Sequence, residues 1–157
     1  EKRLIKVSYS DSLSRKHNVL SRDIIQSPWY TENWGDIVKL KDDVNRQNEF
    51  RNNHQGMMFS TSTGGAITGE GGDVIILDDF GLQALDSHNR ITLLEIIEDR
   101  HNNGSIIVTS QIPVQGWYDI IGEKTIADAI LDRLIHQSHR LELHGESMRK
   151  KRGINKG

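Results

Sequence analysis

Apolar and polar residues alternate over residues 4–9, which predicts a strand, and helical spacing takes over after Ser10. Leu13, Val19, Leu20, Ile24 and Ile25 give an apolar stripe to a helix that Ser10 or Asp11 can cap. Pro28 lies just beyond the end of that helix. Residues 29–54 read as polar and irregular, anchored by Trp29, Trp34, Ile37, Val38 and Leu40. Met57–Ser62 is predicted as a strand, followed by a glycine-dense loop over residues 64–72. That loop leads into Val74-Ile75-Ile76-Leu77, an apolar run that ends in Asp78-Asp79. Four apolar residues followed by two carboxylates describe a buried parallel strand that delivers acids to its C-terminal edge.

Beyond the acids the pattern becomes more regular. Asp86 or Ser87 can cap a helix carrying Ile91, Leu93, Leu94 and Ile97, with Asn103-Gly104 as a left-handed stop. Residues 105–109 are β-branched and apolar, a second buried parallel strand. Thr125 with Asp128 has the spacing of a capping box ahead of a helix bearing Ile126, Ala127, Ile130, Leu131, Leu134 and Ile135. Leu141 and Leu143 alternate in a short last strand. Strand and helix in this order predict an α/β domain with a parallel sheet covered by helices.

Composition refines this picture in three places. A chain of 157 residues has room for one domain with a real core. The net charge of -2 fits a soluble protein and by itself does not indicate nucleic acid, but the charge is unevenly placed. Acids outnumber bases over residues 80–132; from Arg133 onward bases outnumber acids, closing in Arg149-Lys150-Lys151-Arg152. Such a tail can meet a phosphate backbone or simply be a solvated terminus. The absence of Cys excludes disulfides and thiolate metal sites and fits a reducing cytosol. No apolar run approaches the roughly 20 residues of a membrane span. The chain starts on Glu1, which fits a stretch of something longer.

The candidate chemistry centres on Asp78 and Asp79. Strand neighbours point to opposite faces, yet at a strand's end both can turn toward one crevice. A hard cation takes carboxylate oxygen and a water attacking phosphorus needs a base, so the pair can divide these roles; the alternative is turn chemistry at a strand end. The glycine loop invites a phosphate-cradle reading, but it lacks Lys-Ser/Thr and runs into a strand rather than a helix. Nowhere in the sequence is there a Gly-x-x-x-x-Gly-Lys-Ser/Thr motif. His136, His139 and His144 lack a carboxylate at obvious ligand spacing and sit comfortably near a helix C-terminus. Arg133, inside the apolar-striped helix, is either a snorkelling surface cation or an arginine finger offered to a neighbouring subunit's nucleotide.

The runs DDFGLQALD, LLEIIEDRHNNGSIIVTSQIPVQGWYDIIG and IADAILDRLIHQSHRLELHGESMRKK resemble the C-terminal half of IstB-like ATP-binding proteins. These are AAA+ helpers of insertion-sequence transposition related to the helicase loader DnaC. The resemblance covers about residues 78–152. It implies ATP and Mg2+ as cofactors, DNA and a transposase as partners, a homo-oligomer, and a cytoplasmic protein without membrane attachment. Asp78 and Asp79 would be the Walker B acids, one on magnesium and one polarising water. Ser110 and Gln111 would occupy the sensor-1 position that reads the γ-phosphate. Arg133 would be the finger and Arg149 a sensor-2-type contact.

The first part, residues 1–79, resembles another family on the runs RLIKVSYSDSLSRKHNVLSRDIIQSPWY and FSTSTGGAITGEGGDVIILDD: the ATPase domain of phage terminase large subunits, the DNA-packaging motors. That family usually continues Asp-Asp-Pro, whereas Phe80 follows here. Together the two resemblances imply one P-loop-type, three-layer α/β/α domain, incomplete and lacking the Walker A strand-loop-helix. They also imply a recombinant join between a terminase-like segment at 1–79 and an IstB-like segment at 80–157. A fragment of a packaging motor and a non-enzymatic gene remnant are the competing readings. A sheet short of a strand would expose apolar edges and invite association.

Overall fold

The computed structural model describes residues 2–62, 72–101, 103–136 and 138–145. Six strands form one sheet in the order β2-β3-β4-β1-β5-β6. Four of them are parallel neighbours: β4 (Met57–Ser62), β1 (Arg3–Ser8), β5 (Val74–Leu77) and β6 (Ser105–Val108). The sheet is mixed rather than all parallel, because β2 (Leu40–Asn45) and β3 (Glu49–Asn52) add an antiparallel margin at β4. These two strands lie in the stretch expected to be irregular. Their residues, LKDDVN and EFRN, are too polar for a core strand, and a partly exposed margin tolerates that.

The sheet's two faces follow from strand alternation. Ile5 pairs with Phe59 and Ile75, and Val7 pairs with Thr61 and Leu77, so these side chains share one face. There α3 (Ser87–Arg100), α4 (Trp117–Ile121) and α5 (Lys124–Ile135) cover them with Leu93, Ile96, Ile97, Trp117, Ile121, Ala127 and Ile130. Each fully buried aliphatic side chain of this kind contributes about 1.5–3 kcal/mol. Lys6 pairs with Ser60 and Ile76 on the opposite face, where α1 (Asp11–Ile25) packs on β1 and β4.

Several local expectations are corrected. The buried residues of α1 are Ser14 and Asn18, while Leu20 and Ile24 are exposed, so the stripe of large apolars is not the packed face. Ser10 is its N-cap, but its hydroxyl pairs with Ser12 rather than with a helix amide. Pro28 opens a further helix, α2 (Pro28–Trp34), at the position where a missing N–H costs nothing. Asp86 caps α3 as expected, accepting from the Asn89 amide at 2.8 Å, but Ile91 is exposed and Ile96 takes the buried position. The helix ends at His101 with φ -58, and Gly104 is not left-handed. The cap of α5 is Glu123, which accepts from Thr125 and Ile126, instead of a Thr125–Asp128 box. Leu141 and Leu143 form no strand and lie almost fully exposed. The strand β6 is a half-buried sheet edge, not a buried one, and Ile107 on it is 50% exposed. The glycine loop falls outside the described residues, except for Gly72.

Candidate nucleotide site at the end of β5

The crossover from β1 leads to β4 on one side, while the crossover from β5 leads to β6 on the other. Right-handed connections then place α1 and α3 on opposite faces, and the crevice between β1 and β5 is a topological switch point. Asp78 and Asp79 emerge there, directly after β5.

Asp78 alternates with Leu77 and so faces the α1 side. Its Oδ2 lies 2.9 Å from Lys6 Nζ of β1 and 2.8 Å from His17 Nδ1 of α1. Its Oδ1 accepts from the Thr109 hydroxyl at 2.8 Å. Burial works to raise the Asp78 pKa, but the bonds from Lys6, Thr109 and His17 outweigh it and hold the carboxyl below its ordinary value.

Asp79 turns the chain with φ 55, a left-handed conformation that Asp tolerates better than most residues. Its amide donates to the Thr109 hydroxyl at 3.1 Å, and the next amide, of Phe80, donates to the Thr109 carbonyl at 2.8 Å. A proline at 80 would lack that donor. The Phe80 ring is buried against Trp117, 4.9 Å between centroids in an edge-on contact. Gly81 follows with φ +91, and a Cβ there would meet Ile120 Cδ1 at 2.8 Å. The acid turn is thus stapled to β6 below and wedged into the core behind.

The other predicted site residues are placed unequally. Gln111 Nε2 reaches Asp79 Oδ1 at 3.5 Å, so it joins the acids. The Ser110 hydroxyl is turned into the scaffold: it donates to the Phe80 carbonyl at 2.6 Å and accepts from the Ile112 amide and Trp117 Nε1. Arg133 lies away from the cluster on α5, donating to the Ala129 carbonyl at 2.8 Å and pairing with Glu98 of α3 at 3.3 Å. Arg149 lies outside the described residues. Sequence reasoning missed Lys6, His17 and Thr109. Lys6 had a visible signal, a lone cation between Ile5 and Val7 in an apolar strand. His17 had none, since a contact across 61 residues leaves no local trace.

Magnesium takes oxygen ligands in an octahedron at about 2.0–2.1 Å and keeps several waters. Asp79 offers a carboxylate for such a shell, with Gln111 alone on it among the described residues. Asp78 does not fit, because an ammonium, an imidazole and a hydroxyl already engage its oxygens. Among the described residues, no group of three or more His, Asp or Glu side chains is arranged to hold a metal ion. Beside the turn, on the α3 side, Val7, Leu77, Phe80, Leu93 and Ile96 line a cavity of about 50 Å³. That is room for a few waters rather than a nucleoside.

Paired acids at the switch point of an α/β sheet mark the candidate site, and the comparisons with known proteins give the family. The chain belongs to the family described as IstB-like ATP binding protein, which matches residues 42–155. This is a P-loop AAA+ family of insertion-sequence proteins. Over 77 residues the chain is 56% identical to an insertion sequence ATP-binding protein of Sinorhizobium fredii, covering 49% of this chain and 31% of that one. It is 38% identical over 76 residues to the ATP-binding protein of insertion sequence IS5376 of Geobacillus stearothermophilus, covering 48% and 30%. With that of insertion sequence IS21 of Pseudomonas aeruginosa it shares 36% over 78 residues, covering 50% and 29%. The chain spans about a third of the length of the curated relatives it matches. Nothing in these comparisons supports a terminase segment, and the family match begins well upstream of Phe80. No helix among the described residues is long and apolar enough to cross a membrane.

Proposed function

We propose that this chain is an IstB-like module of insertion-sequence transposition whose ATP hydrolysis is impaired. The observation that carries the reading is the Asp78-Asp79 turn at the switch point, inside the family match and beside Gln111. Asp79 is the acid in position to hold magnesium or polarise water, with Gln111 toward a γ-phosphate. The basic residues from Arg149 to Arg152 would meet DNA, a transposase would be the protein partner, and the setting would be cytoplasmic. Assembly of several copies would let Arg133 reach a neighbour's nucleotide only after it leaves Glu98. One feature supports impairment: the Asp78 carboxylate is already engaged by Lys6, His17 and Thr109. The open edge of β6 is where a further strand would add.

The test is titration with ATP by calorimetry in magnesium buffer, with Asp79→Ala as control. Weak binding reduced further by the substitution, without measurable turnover, is the expected result. Turnover at rates ordinary for ATPases would overturn the impaired reading, and no binding at any concentration would overturn the nucleotide reading.

A further inference from the structure

Lys6 is the least expected member of the site. It sits mid-strand in β1 between two hydrogen-bonded neighbours, so its backbone is fixed on both sides. Its register partner on β5 is Ile76, which puts Asp78 two residues further toward the C-terminal edge. The lysine stem spans that step and delivers Nζ to Asp78 Oδ2 at 2.9 Å. Both side chains are largely out of solvent, 15% and 16% exposed, and α1 closes over them with Ser14 and His17.

A carboxylate has about four lone-pair sites, and here three are engaged, by an ammonium, an imidazole and a hydroxyl. An ammonium on Oδ2 stands where a divalent ion bound to Asp78 would sit. Two cations cannot share one oxygen in a poorly solvated crevice without strong repulsion. The ammonium is tethered, so its local concentration never falls, whereas a metal ion must arrive from solution.

We infer that Lys6 is the resident cation of Asp78, occupying the position of a divalent metal and leaving Asp79 as the acid open to one. The inference rests on reading the Asp78-Asp79 turn as a nucleotide-type site, and it supplies the physical cause of impairment. Asp78 then serves as an anchor that ties α1, β1, β5 and β6 together.

The experiment is Mn2+ binding by the full chain without nucleotide, followed through the spectrum of free Mn2+. Wild type is expected to bind weakly, and Asp78→Asn is expected to leave that weak binding unchanged. Lys6→Met keeps the stem and removes the charge, and should tighten Mn2+ binding by about tenfold or more. Lys6→Arg keeps the cation and should show no gain. Adding Asp78→Asn to Lys6→Met should abolish the gain. Tight binding by wild type that is lost in Asp78→Asn would overturn the inference, as would a folded Lys6→Met protein with no gain. Should Lys6→Met fail to fold, wild type decides through its two single acid variants: binding lost in Asp79→Asn but kept in Asp78→Asn supports it, and the reverse overturns it. Because no nucleotide is present, failure of ATP to bind leaves this result standing.

Discussion

On one face of the sheet Ile5, Val7, Ile75 and Leu77 close against α3, α4 and α5. On the other, Lys6 and Asp78 meet α1 through Ser14 and His17, and Asn18 of α1 donates to the Gln47 carbonyl. The fully buried residues of helix α1, Ser14 and Asn18, are polar, while its Leu20 and Ile24 are exposed. The apolar face gains from area removed from water, which is indifferent to detail. The polar face depends on donors meeting acceptors, and it leaves some unmet: Ser8 Oγ and Asn18 Oδ1 are buried without a partner among the described residues. Stability and site chemistry are thus divided between the faces.

Substitutions can break or sharpen that division. The largest effect is expected on the apolar face, where Ile97→Ala, at a residue 1% exposed, should lower unfolding free energy by about 4 kcal/mol. Denaturant midpoints measure this, and a loss below that of any polar-face variant would contradict the division. Next comes Asp78→Ala, which strands the Lys6 ammonium in a crevice and should destabilise by about 3 kcal/mol. The double variant with Lys6→Met should recover part of the loss, a non-additivity read from a double-mutant cycle. Thr109→Val should cost about 1–2 kcal/mol, because it removes a donor to Asp78 and an acceptor for the Asp79 amide. Leu20→Ala, at a residue 52% exposed, should stay within about 0.5 kcal/mol.

The smallest effect is a pH response at the cap of α5. The amides of Ile126 and Thr125 hold the Glu123 carboxyl below its ordinary pKa. Its contribution is therefore complete above the usual glutamate range and is lost as pH falls through the lowered folded value. A pH series of melting temperatures should show this acid-side loss in wild type and less of it in Glu123→Gln.

The parallel half of the sheet was legible in sequence because apolar runs such as Val74-Ile75-Ile76-Leu77 have few other uses. The acid pair was legible for the same reason, since two carboxylates directly after such a run must emerge at its edge. The margin strands β2 and β3 were not, because LKDDVN carries no alternation and its pairing comes from β4. The packed face of α1 was misread because Ser14 and Asn18 are buried by what they bond, Lys6 O and Gln47 O, and not by hydropathy. Ser110 and Gln111 were correctly placed at the end of β6. Which of them turns inward was decided by Trp117 and the Phe80 carbonyl, neither of which periodicity can see.

The Thr109 hydroxyl takes a proton's worth of direction from its neighbours. The Asp79 amide can only donate to it, so its own proton must go to Asp78. Position 109 is therefore a place where a strand's preference for a branched apolar side chain and the needs of the turn disagree. Among natural variants, serine should be accepted there and valine purged, even though valine is the better strand former.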